Sequence, residues 1–594
     1  MAQQVRTKLE LESGKKITRF KSFVLNQDIF RHHHFELTVP FNELEKKEET
    51  FFRDSHKEVC GKTISVSFES KSDKKPNDFR FKGIITEISL SNLSDFTSVF
   101  ILKGYGSTVL LEDCSMRRTF INKSVKQVFD TVLNAYPGNV IKRKLNPDNK
   151  NTIPYVVQYD ETNFTFINRL AAEFGEWLFY DGQELVLGDK GNSKEIDFII
   201  DGNQSFDMSI SLAPVKFQMT AYDYLKDQSY QCKSSSQPAE DFGQFSKFAL
   251  DESENLYSRE ALMIAEKPVM NQQELDDLLR FRRRGISGSL VVFHGRGEKP
   301  GLTIGTVVNV SATRPEKGGR GNQESVGKYR IIEISHAVDS NGNYSNVFKA
   351  VPETAKFPPV NPWIRHPTGQ PELATVTDNN DPDKLSRVKV AFKWPGSDHE
   401  SEWIRVGSFY TGGDDRKGMQ FIPEKEAQVM VGYELDKPEL PFIITSLYPK
   451  KNGMRSRKGN NDEKTFYTKS GNLIELIDKQ GENKIQITNV NQADTAVIIE
   501  FRDNGSITLK TNGRINIEAQ ENISISAREK LTLEAEEIEI KAQKKTTLKS
   551  LSVNIEADNS VEIKASASAK LSSANTEVSG DAMTTIQGGI VKIN

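Results

Sequence analysis

Cysteine is scarce in this 594-residue chain, which has only Cys60, Cys114 and Cys232. An odd number of scattered cysteines excludes a disulfide framework and is typical of a protein kept in a reducing cytoplasm. Excess charge is also missing, because 79 lysines and arginines face 82 aspartates and glutamates, a formal net charge of -3. This balance argues against a general nucleic-acid binder.

Long apolar runs are absent too. No uninterrupted run is long enough to span a bilayer, and the N-terminal MAQQVRTKLELESGKKITRF has no apolar core of a secretory signal. We therefore expect a cytoplasmic protein, and we expect any export to use a route without a cleaved signal peptide.

The C-terminal part lacks the bulkiest and the stiffest residues. No histidine follows His399, no proline follows Pro449 and no aromatic residue follows Phe501. Since proline interrupts strand pairing, its absence favours a narrow, uninterrupted β structure over this part of the chain.

Apolar residues recur in this region in pairs two residues apart, and each pair is followed two residues later by alanine. The pairs are Ile515/Ile517, Ile523/Ile525, Leu531/Leu533, Ile538/Ile540, Val553/Ile555 and Val561/Ile563. Spacing of two is a strand signal, because alternate side chains share a face. The step between pairs is eight residues, with a slip of one at Ile538. The pattern predicts repeated short strands.

A helix is the alternative for residues 527–545, which are rich in strong helix formers. Residues two apart on a helix lie roughly 200° apart around its axis, so Leu531 and Leu533 would not share one stripe. The neighbouring units have no helical pattern, and repeated strands are therefore the better interpretation.

One such ribbon would leave its apolar row and both strand edges uncovered. Units of eight residues are too short for the corners of a single-chain solenoid. We expect several chains to wind around one axis, and three is the simplest closed arrangement. The twelve paired residues above are then the predicted trimer core of a rigid needle.

The N-terminal part alternates strands with a few helices. Residues 35–39, 64–68 and 79–84 predict strands. Helices are predicted at 124–133, at 162–174 (with Asp160 or Thr162 as N-cap) and at 271–284, and a hairpin at 177–187. From about residue 200 to 360 strands otherwise dominate.

After a proline-rich crossing at 351–367, six short strands are predicted at 373–376, 387–392, 403–406, 420–422, 429–433 and 442–447. They suit a small closed barrel, of which the five-stranded OB-fold is the commonest. Phe392, Trp394 and Trp403 could stack nucleic-acid bases. Packing of the barrel and its trimer contacts is the better interpretation of these rings.

Several stretches resemble one known family, the VgrG-type spike proteins of type VI secretion and the related phage tail hub and spike proteins. Residues 104–133, 155–189 and 328–353 look like tail-hub motifs, and LSRVKVAFKW, SEWIRVGSFYTGG and 421–449 look like the family's OB-fold. Ser386 and the segment 424–428 depart from the usual family pattern. The departures leave open which contractile system the protein serves.

The resemblance implies a mainly β architecture with four parts. They are a tail-hub-like domain of two β-barrel subdomains with inserted helices at 1–365, an OB-fold at 366–449, a linker and start of the β-prism at 450–506, and an intertwined triple-stranded β-helix with its tip at 507–594. It implies a homotrimeric spike that punctures membranes at the tip of a contractile tube. A phage-like or extracellular contractile particle, or a trimeric surface stalk or adhesin, is the alternative.

The resemblance also implies partners. An Hcp-like tube protein and a baseplate would contact the hub, and the target membrane would be met transiently. At the other end, Ile590, Val591, Ile593 and Asn594 would form a docking platform for a PAAR-type tip protein and effectors; the alternative is a frayed end. No catalytic residue, cofactor or nucleic-acid partner is expected, and a phage-type lysozyme does not fit between barrel and needle.

The run Arg31-His32-His33-His34-Phe35 suggests a metal site. Adjacent strand residues face opposite ways, so only His32 and His34 could share a metal, and no cysteine or carboxylate pair nearby completes a site. A solvated strand edge is the better interpretation, and we expect no metal.

Overall fold

The computed structural model describes residues 4–46, 52–71, 79–93, 97–188, 194–201, 204–236, 243–314, 322–413, 417–450, 461–492, 495–501 and 504–593. The chain forms two compact units, Met1–Arg455 and Ser456–Asn594. The expectation of a mainly β chain is confirmed. Every helix in the described part of the chain is too short or too polar to span a bilayer.

The first barrel is built from long antiparallel strands in which alternate side chains are buried. Its strands are β1 (Val5–Leu11), β2 (Lys16–Ile17), β3 (Ser22–Asp28), β4 (His34–Pro40), β5 (Thr63–Ser70), β6 (Phe79–Leu93) and β7 (Thr97–Gly106), with short helices α1 (Phe41–Leu44) and α2 (Ser55–Val59). In β4, Phe35, Leu37 and Val39 are fully buried, as the alternation predicts.

A helical insertion follows. It comprises β8 (Ser115–Ser124), α3 (Val125–Leu133), β9 (Lys142–Leu145), β10 (Thr152–Thr162), α4 (Asn163–Glu173), β11 (Leu178–Tyr180) and β12 (Glu184–Leu187). Both predicted helices are confirmed. Ser124 caps α3 in a capping box, and Thr162, not Asp160, caps α4 by accepting from the Thr165 amide at 3.2 Å. The predicted hairpin is β11–β12.

The second barrel and its own insertion complete the region up to Pro352, which we call the hub region. The elements are β13 (Glu195–Ile200), β14 (Ser205–Ile210), β15 (Phe217–Asp223), β16 (Gln228–Lys233), α5 (Gln244–Leu256), β17 (Ala261–Ile264), α6 (Gln272–Ser287), β18 (Val291–Gly297), β19 (Val307–Arg314), β20 (Asn322–Asp339) and β21 (Tyr344–Pro352). Pairing of β20 with β3 joins the two barrels in one 13-stranded sheet. The predicted helix at 271–284 is α6.

Helix α5 was not predicted, because two of its large apolar side chains face solvent and mainly small side chains are buried. Its buried face consists mainly of small residues, Ser246, Ala249 and Ser253, whereas Phe245 and Phe248 are exposed. A search for large apolar residues on a buried stripe therefore finds no helix here.

The next five strands form a small barrel, which we call the OB barrel. They are β22 (Glu372–Asp378), β23 (Lys389–Phe392), β24 (Arg405–Val406), β25 (Gln428–Tyr433) and β26 (Pro441–Leu447), in the order β23-β22-β25-β26-β24. Five of the six predicted strands are confirmed. The prediction at 420–422 is wrong, because this segment is irregular and follows a loop in which the Met419 amide donates to the Tyr410 carbonyl, although its Ile422 packs against the barrel core.

The core of the OB barrel extends into the hub region. Tyr155, Val157 and Tyr159 of β10 are buried in one cluster with barrel residues such as Val390 and Val431. The hub region and the OB barrel therefore share one hydrophobic cluster, although the sequence predicts a domain boundary between them at 365/366.

The second unit begins with an antiparallel meander, the C-terminal sheet. Its strands are β27 (Glu463–Tyr467), β28 (Asn472–Ile477), β29 (Lys484–Asn489), β30 (Ala496–Glu500) and β31 (Ser506–Lys510), each paired with the next. Residues 511–593, the ribbon, are extended segments separated by bends, with no helix and no strand. The helical alternative for 527–545 is therefore wrong, and the repeated short strands predicted for this region do not form within a single chain, which offers them no pairing partner.

Candidate functional site in the C-terminal unit

One face of the C-terminal sheet is apolar across all five strands. Cross-strand register places on it one row of Phe466, Ile474, Ile487, Val497 and Leu509, and a second row of Leu476, Ile485, Ile499 and Ile507 that ends at Lys464. Phe466 remains 51% exposed and Ile507 73%. Nine apolar side chains on one open face form a surface that a partner would cover.

The ribbon has the predicted two-sided character. Its backbone bends every seven or eight residues, near 512, 520, 528, 536, 543, 550, 558, 566, 574, 581 and 589. Each extended segment between bends up to 565, except the one at 545–549, contains one predicted apolar pair.

The twelve predicted core residues are all exposed in the single chain, so the predicted burial is not found within one copy. Ile517, for example, is 66% exposed, and the twelve range from 52% to 75%. They are Ile515, Ile517, Ile523, Ile525, Leu531, Leu533, Ile538, Ile540, Val553, Ile555, Val561 and Ile563. A single extended ribbon offers neither a strand partner nor a second apolar layer, so its side chains stay in water. Their burial in a trimer core stays a prediction.

The bends also show which residues take the places of the apolar pair in the part of the repeat where the sequence pattern slips. Thr546 and Leu548 lie eight residues after Ile538 and Ile540, and the next bend, near 550, follows them. A segment of the repeat therefore exists where the sequence pattern stops. It was missed because threonine replaces the first apolar residue, although the eight-residue step to Leu548 was visible. Leu571, eight residues after Ile563, continues the row.

Residues between the apolar ones form the other side of the ribbon. Glu539 is ion-paired with Lys541, and Glu562 with Lys564. These are alternate positions, so the charged side chains share the side opposite to the apolar pairs. The apolar row would suit the inner face of the wall of a needle, and the charged row would suit its outer, solvent-exposed face.

At the end of the ribbon, Ile590 and Ile593 are more than 80% exposed and Val591 is partly covered. Asn594 lies outside the described residues. The docking platform stays a prediction.

The histidine run is not a solvated strand edge, and that interpretation is wrong for its middle residue. His33 is fully buried, and its Nδ1 lies 3.0 Å from Gln27 Nε2. Burial lowers the pKa of His33 to about 3, so the ring is neutral. His32 contacts Thr108 and Glu112. Among the described residues no group of three or more histidines, cysteines or carboxylates is placed to hold a metal ion.

The barrel aromatics are packing residues. The rings of Phe392 and Trp394 stack at 4.4 Å, both are buried, and the indole N–H of Trp394 donates to Glu372 at 2.6 Å. Neither ring has a free face for a base. Trp403 is half-buried, with the Lys389 ammonium 5.3 Å above its ring.

Comparison with known proteins matches both parts of the first unit. Residues 34–342 match the phage tail baseplate hub (GPD) family, and residues 372–448 match the type VI secretion system/phage-baseplate injector OB domain.

Two curated relatives from Pseudomonas aeruginosa are similar in sequence. The type VI secretion system spike protein VgrG5 is 25% identical over 65% of this chain and 53% of its own length. The spike protein VgrG1a is 23% identical over 72% of this chain and 70% of its own length. The match thus spans about half of VgrG5.

Among solved structures, a Francisella PdpA-VgrG complex is similar in fold. It covers 86% of this chain and 88% of the matched chain, with a TM-score of 0.54 and 10% identity. Since the hub model covers just over half of the sequence and the OB domain follows it in order, this chain belongs to the phage tail baseplate hub family, among its VgrG-type spike proteins.

Proposed function

We propose that this protein is the trimeric spike at the tip of a contractile secretion tube, where it punctures target membranes and carries effectors. The observation that supports this most strongly is the order of parts along one chain. A hub region and an OB barrel are followed by a sheet and a ribbon whose apolar surfaces are open. Such surfaces need partners, and copies of the same chain supply matching ones.

Three copies would bury these surfaces around one axis. Each ribbon brings one apolar row, and each C-terminal sheet brings one apolar face. Burying a side chain of this size contributes ~1.5–3 kcal/mol when it starts fully exposed. The twelve half-exposed core residues would therefore contribute roughly 10 kcal/mol or more per chain.

The mechanism is mechanical. Contraction of a sheath would drive tube and spike forward, and the needle would transmit axial force into the membrane. Strands hydrogen-bonded between chains, around a close-packed apolar interior, yield only cooperatively, so the needle resists buckling. Winding also leaves no free strand edge along its length.

Partners would bind at the two ends. We infer that the hub region seats on an Hcp-like tube protein and the baseplate. The exposed Ile590 and Ile593, three copies of each, would seat a PAAR-type tip protein with its effectors. The similar solved structure holds a VgrG together with PdpA, which supports cargo binding by this class of spike.

The two curated relatives that are similar in sequence are named as spike proteins. We infer that the chain has no catalytic activity of its own, that it resides in the cytoplasm before firing, and that it then enters the target cell without cleavage of a signal peptide.

The decisive measurement is the mass in solution. A trimer would have three times the 66.9 kDa of one chain. A stable monomer would refute the proposal.

Secretion provides the second test. Removal of residues 511–594 should abolish delivery while leaving the hub region and OB barrel folded, as judged by the circular dichroism of the truncated protein. Recovery of the full chain on free tube–sheath particles would instead assign it to a released contractile particle. Export through the Sec pathway would instead support the alternative of a trimeric surface stalk or adhesin.

A further inference from the structure

A buried charge cluster joins the hub region to the OB barrel, and its centre is Arg169 of α4. Glu161 accepts two hydrogen bonds from this guanidinium, both at 2.8 Å. Glu173 accepts one at 2.7 Å, and Glu439, in the turn between β25 and β26 of the OB barrel, accepts one at 3.2 Å. We call this cluster the hub–OB joint.

The joint contains more carboxylates than cations. Three carboxylates surround Arg169, and the second cation is the half-buried Lys267, whose ammonium lies 4.0 Å from the centre of the Phe174 ring. If all three carboxylates were ionised, one negative charge would remain uncompensated. An uncompensated buried charge is costly, so one group is expected to become neutral.

Charged groups of the flanking segments do not remove this excess. His366 lies 3.7 Å from Glu173 and 3.3 Å from Glu266, and it is more than a third exposed, as is Glu266. Lys437 also pairs with Glu266, at 3.3 Å. From α6, Glu274 and Asp277 add negative charge near Lys267.

Glu439 is the member of the joint that takes the proton. It has the longest contact with Arg169, whereas Glu161 and Glu173 are held at 2.7–2.8 Å. Burial raises the pKa of Glu439 to about 7, and the charge of Glu173 adds to this rise although Arg169 opposes it. The pKa of Glu173 is instead lowered by Arg169 and Lys267 despite its burial.

A small cavity of about 110 Å³ lies beside the cluster and is lined by Glu439, Lys267 and Tyr155. The buried Tyr155 hydroxyl has no hydrogen-bond partner within the described ranges. The lining of the cavity is mainly apolar, and the polar groups of Glu439, Lys267 and Tyr155 within it are the partners that can hold water there. Such water gives the proton a route between Glu439 and solvent.

We propose that the hub–OB joint is proton-linked: Glu439 holds a proton while the joint is closed, and loss of that proton to water above neutral pH loosens the OB barrel from the hub region. The neutral form leaves two carboxylates facing two cations. The ionised form adds a third carboxylate and favours the state in which Glu439 reaches solvent.

Hydrogen exchange of the full-length protein tests this. The readout is the turn around Glu439, where the Leu440 amide donates to the Lys437 carbonyl and the Glu434 amide to the Leu440 carbonyl. After correction for the intrinsic rates, opening should increase about tenfold from pH 6 to pH 8 and level off above pH 8.

Glu439→Gln mimics the protonated state and should remove this pH dependence. Glu434→Gln, in the same turn but in an ion pair with Arg405 at the surface, should keep it. Equal pH dependence in Glu439→Gln and wild type would overturn the proposal. If Glu439→Gln does not fold, the wild type decides: a flat profile between pH 6 and pH 8 overturns the proposal, and a tenfold rise that Glu434→Gln shares supports it.

Discussion

Mild acid should destabilise the hub region through two buried histidines. His336 Nδ1 lies 2.7 Å from the Tyr344 hydroxyl, and its Nε2 lies 3.1 Å from Gln27 Oε1. Gln27 in turn donates from Nε2 to His33 Nδ1. The chain of hydrogen bonds from Tyr344 to His33 is satisfied when both rings are neutral. A proton on His33 Nδ1 would face the amide N–H of Gln27 and break the chain.

The magnitude follows from the pKa values. Burial lowers the pKa of both His33 and His336 to about 3, compared with the usual 6.5. The unfolded chain therefore binds protons below pH 6.5 while the folded hub region does not, and stability falls as the pH drops from 6.5 towards 3. At pH 5 each histidine lowers the free energy of unfolding by ~2 kcal/mol, and the pair lowers it by ~4 kcal/mol.

The assay is hydrogen exchange of β3 and β20, which contain Gln27 and His336, in the full-length protein at pH 7 and pH 5. The free energy of opening should fall by ~4 kcal/mol in the wild type. It should fall far less in the His33→Gln/His336→Gln variant, whose side chains do not titrate. His34→Gln, at a half-buried position beside Tyr105, is the control and should behave as wild type. An equal fall in the double variant would refute the reasoning.

Three further outcomes are expected. Ile525→Asp should block trimer formation in a mass measurement, because three unpaired carboxylates on one axis cost several kcal/mol. The control, Ser524→Asp on the other side of the ribbon, should still form the trimer. An unchanged mass for Ile525→Asp would show that the predicted register is wrong. Arg169→Met should destabilise the contact between hub region and OB barrel by ~3–5 kcal/mol, detected as faster proteolysis between them, whereas Arg282→Met at an exposed position of α6 should leave cleavage unchanged. Deletion of residues 588–594 should abolish pull-down of the tip partner without changing the trimer mass, and retained binding would contradict the platform.

Sequence periodicity was sufficient for helices α3, α4 and α6 of the hub region, for the β11–β12 hairpin and for several of the other strands. The α3 and α4 helices were predicted because their large apolar residues, such as Val128 and Phe166, fall on one face. Helix α5 was not, because it buries small residues. The strand predicted at 420–422 failed because two neighbouring apolar residues also occur in an irregular segment, where Ile422 packs against the barrel core without strand pairing.

The joint between hub region and OB barrel was outside the reach of sequence reasoning. Arg169 and Glu439 are 270 residues apart, and no local pattern links them. His33 also looked like an exposed strand residue until the packing of β3 and β20 placed Gln27 and His336 around it.

The sequence by itself determined that the C-terminal part is a ribbon with one apolar row, because strand periodicity is local and is written directly in alternate residues. It also determined the order of hub region, OB barrel and ribbon. Only the tertiary structure decided which face of the C-terminal sheet is left open, that residues 545–549 form a segment of the repeat, and which charges meet in the hub–OB joint. These features depend on register and on contacts between distant segments, which local patterns do not specify.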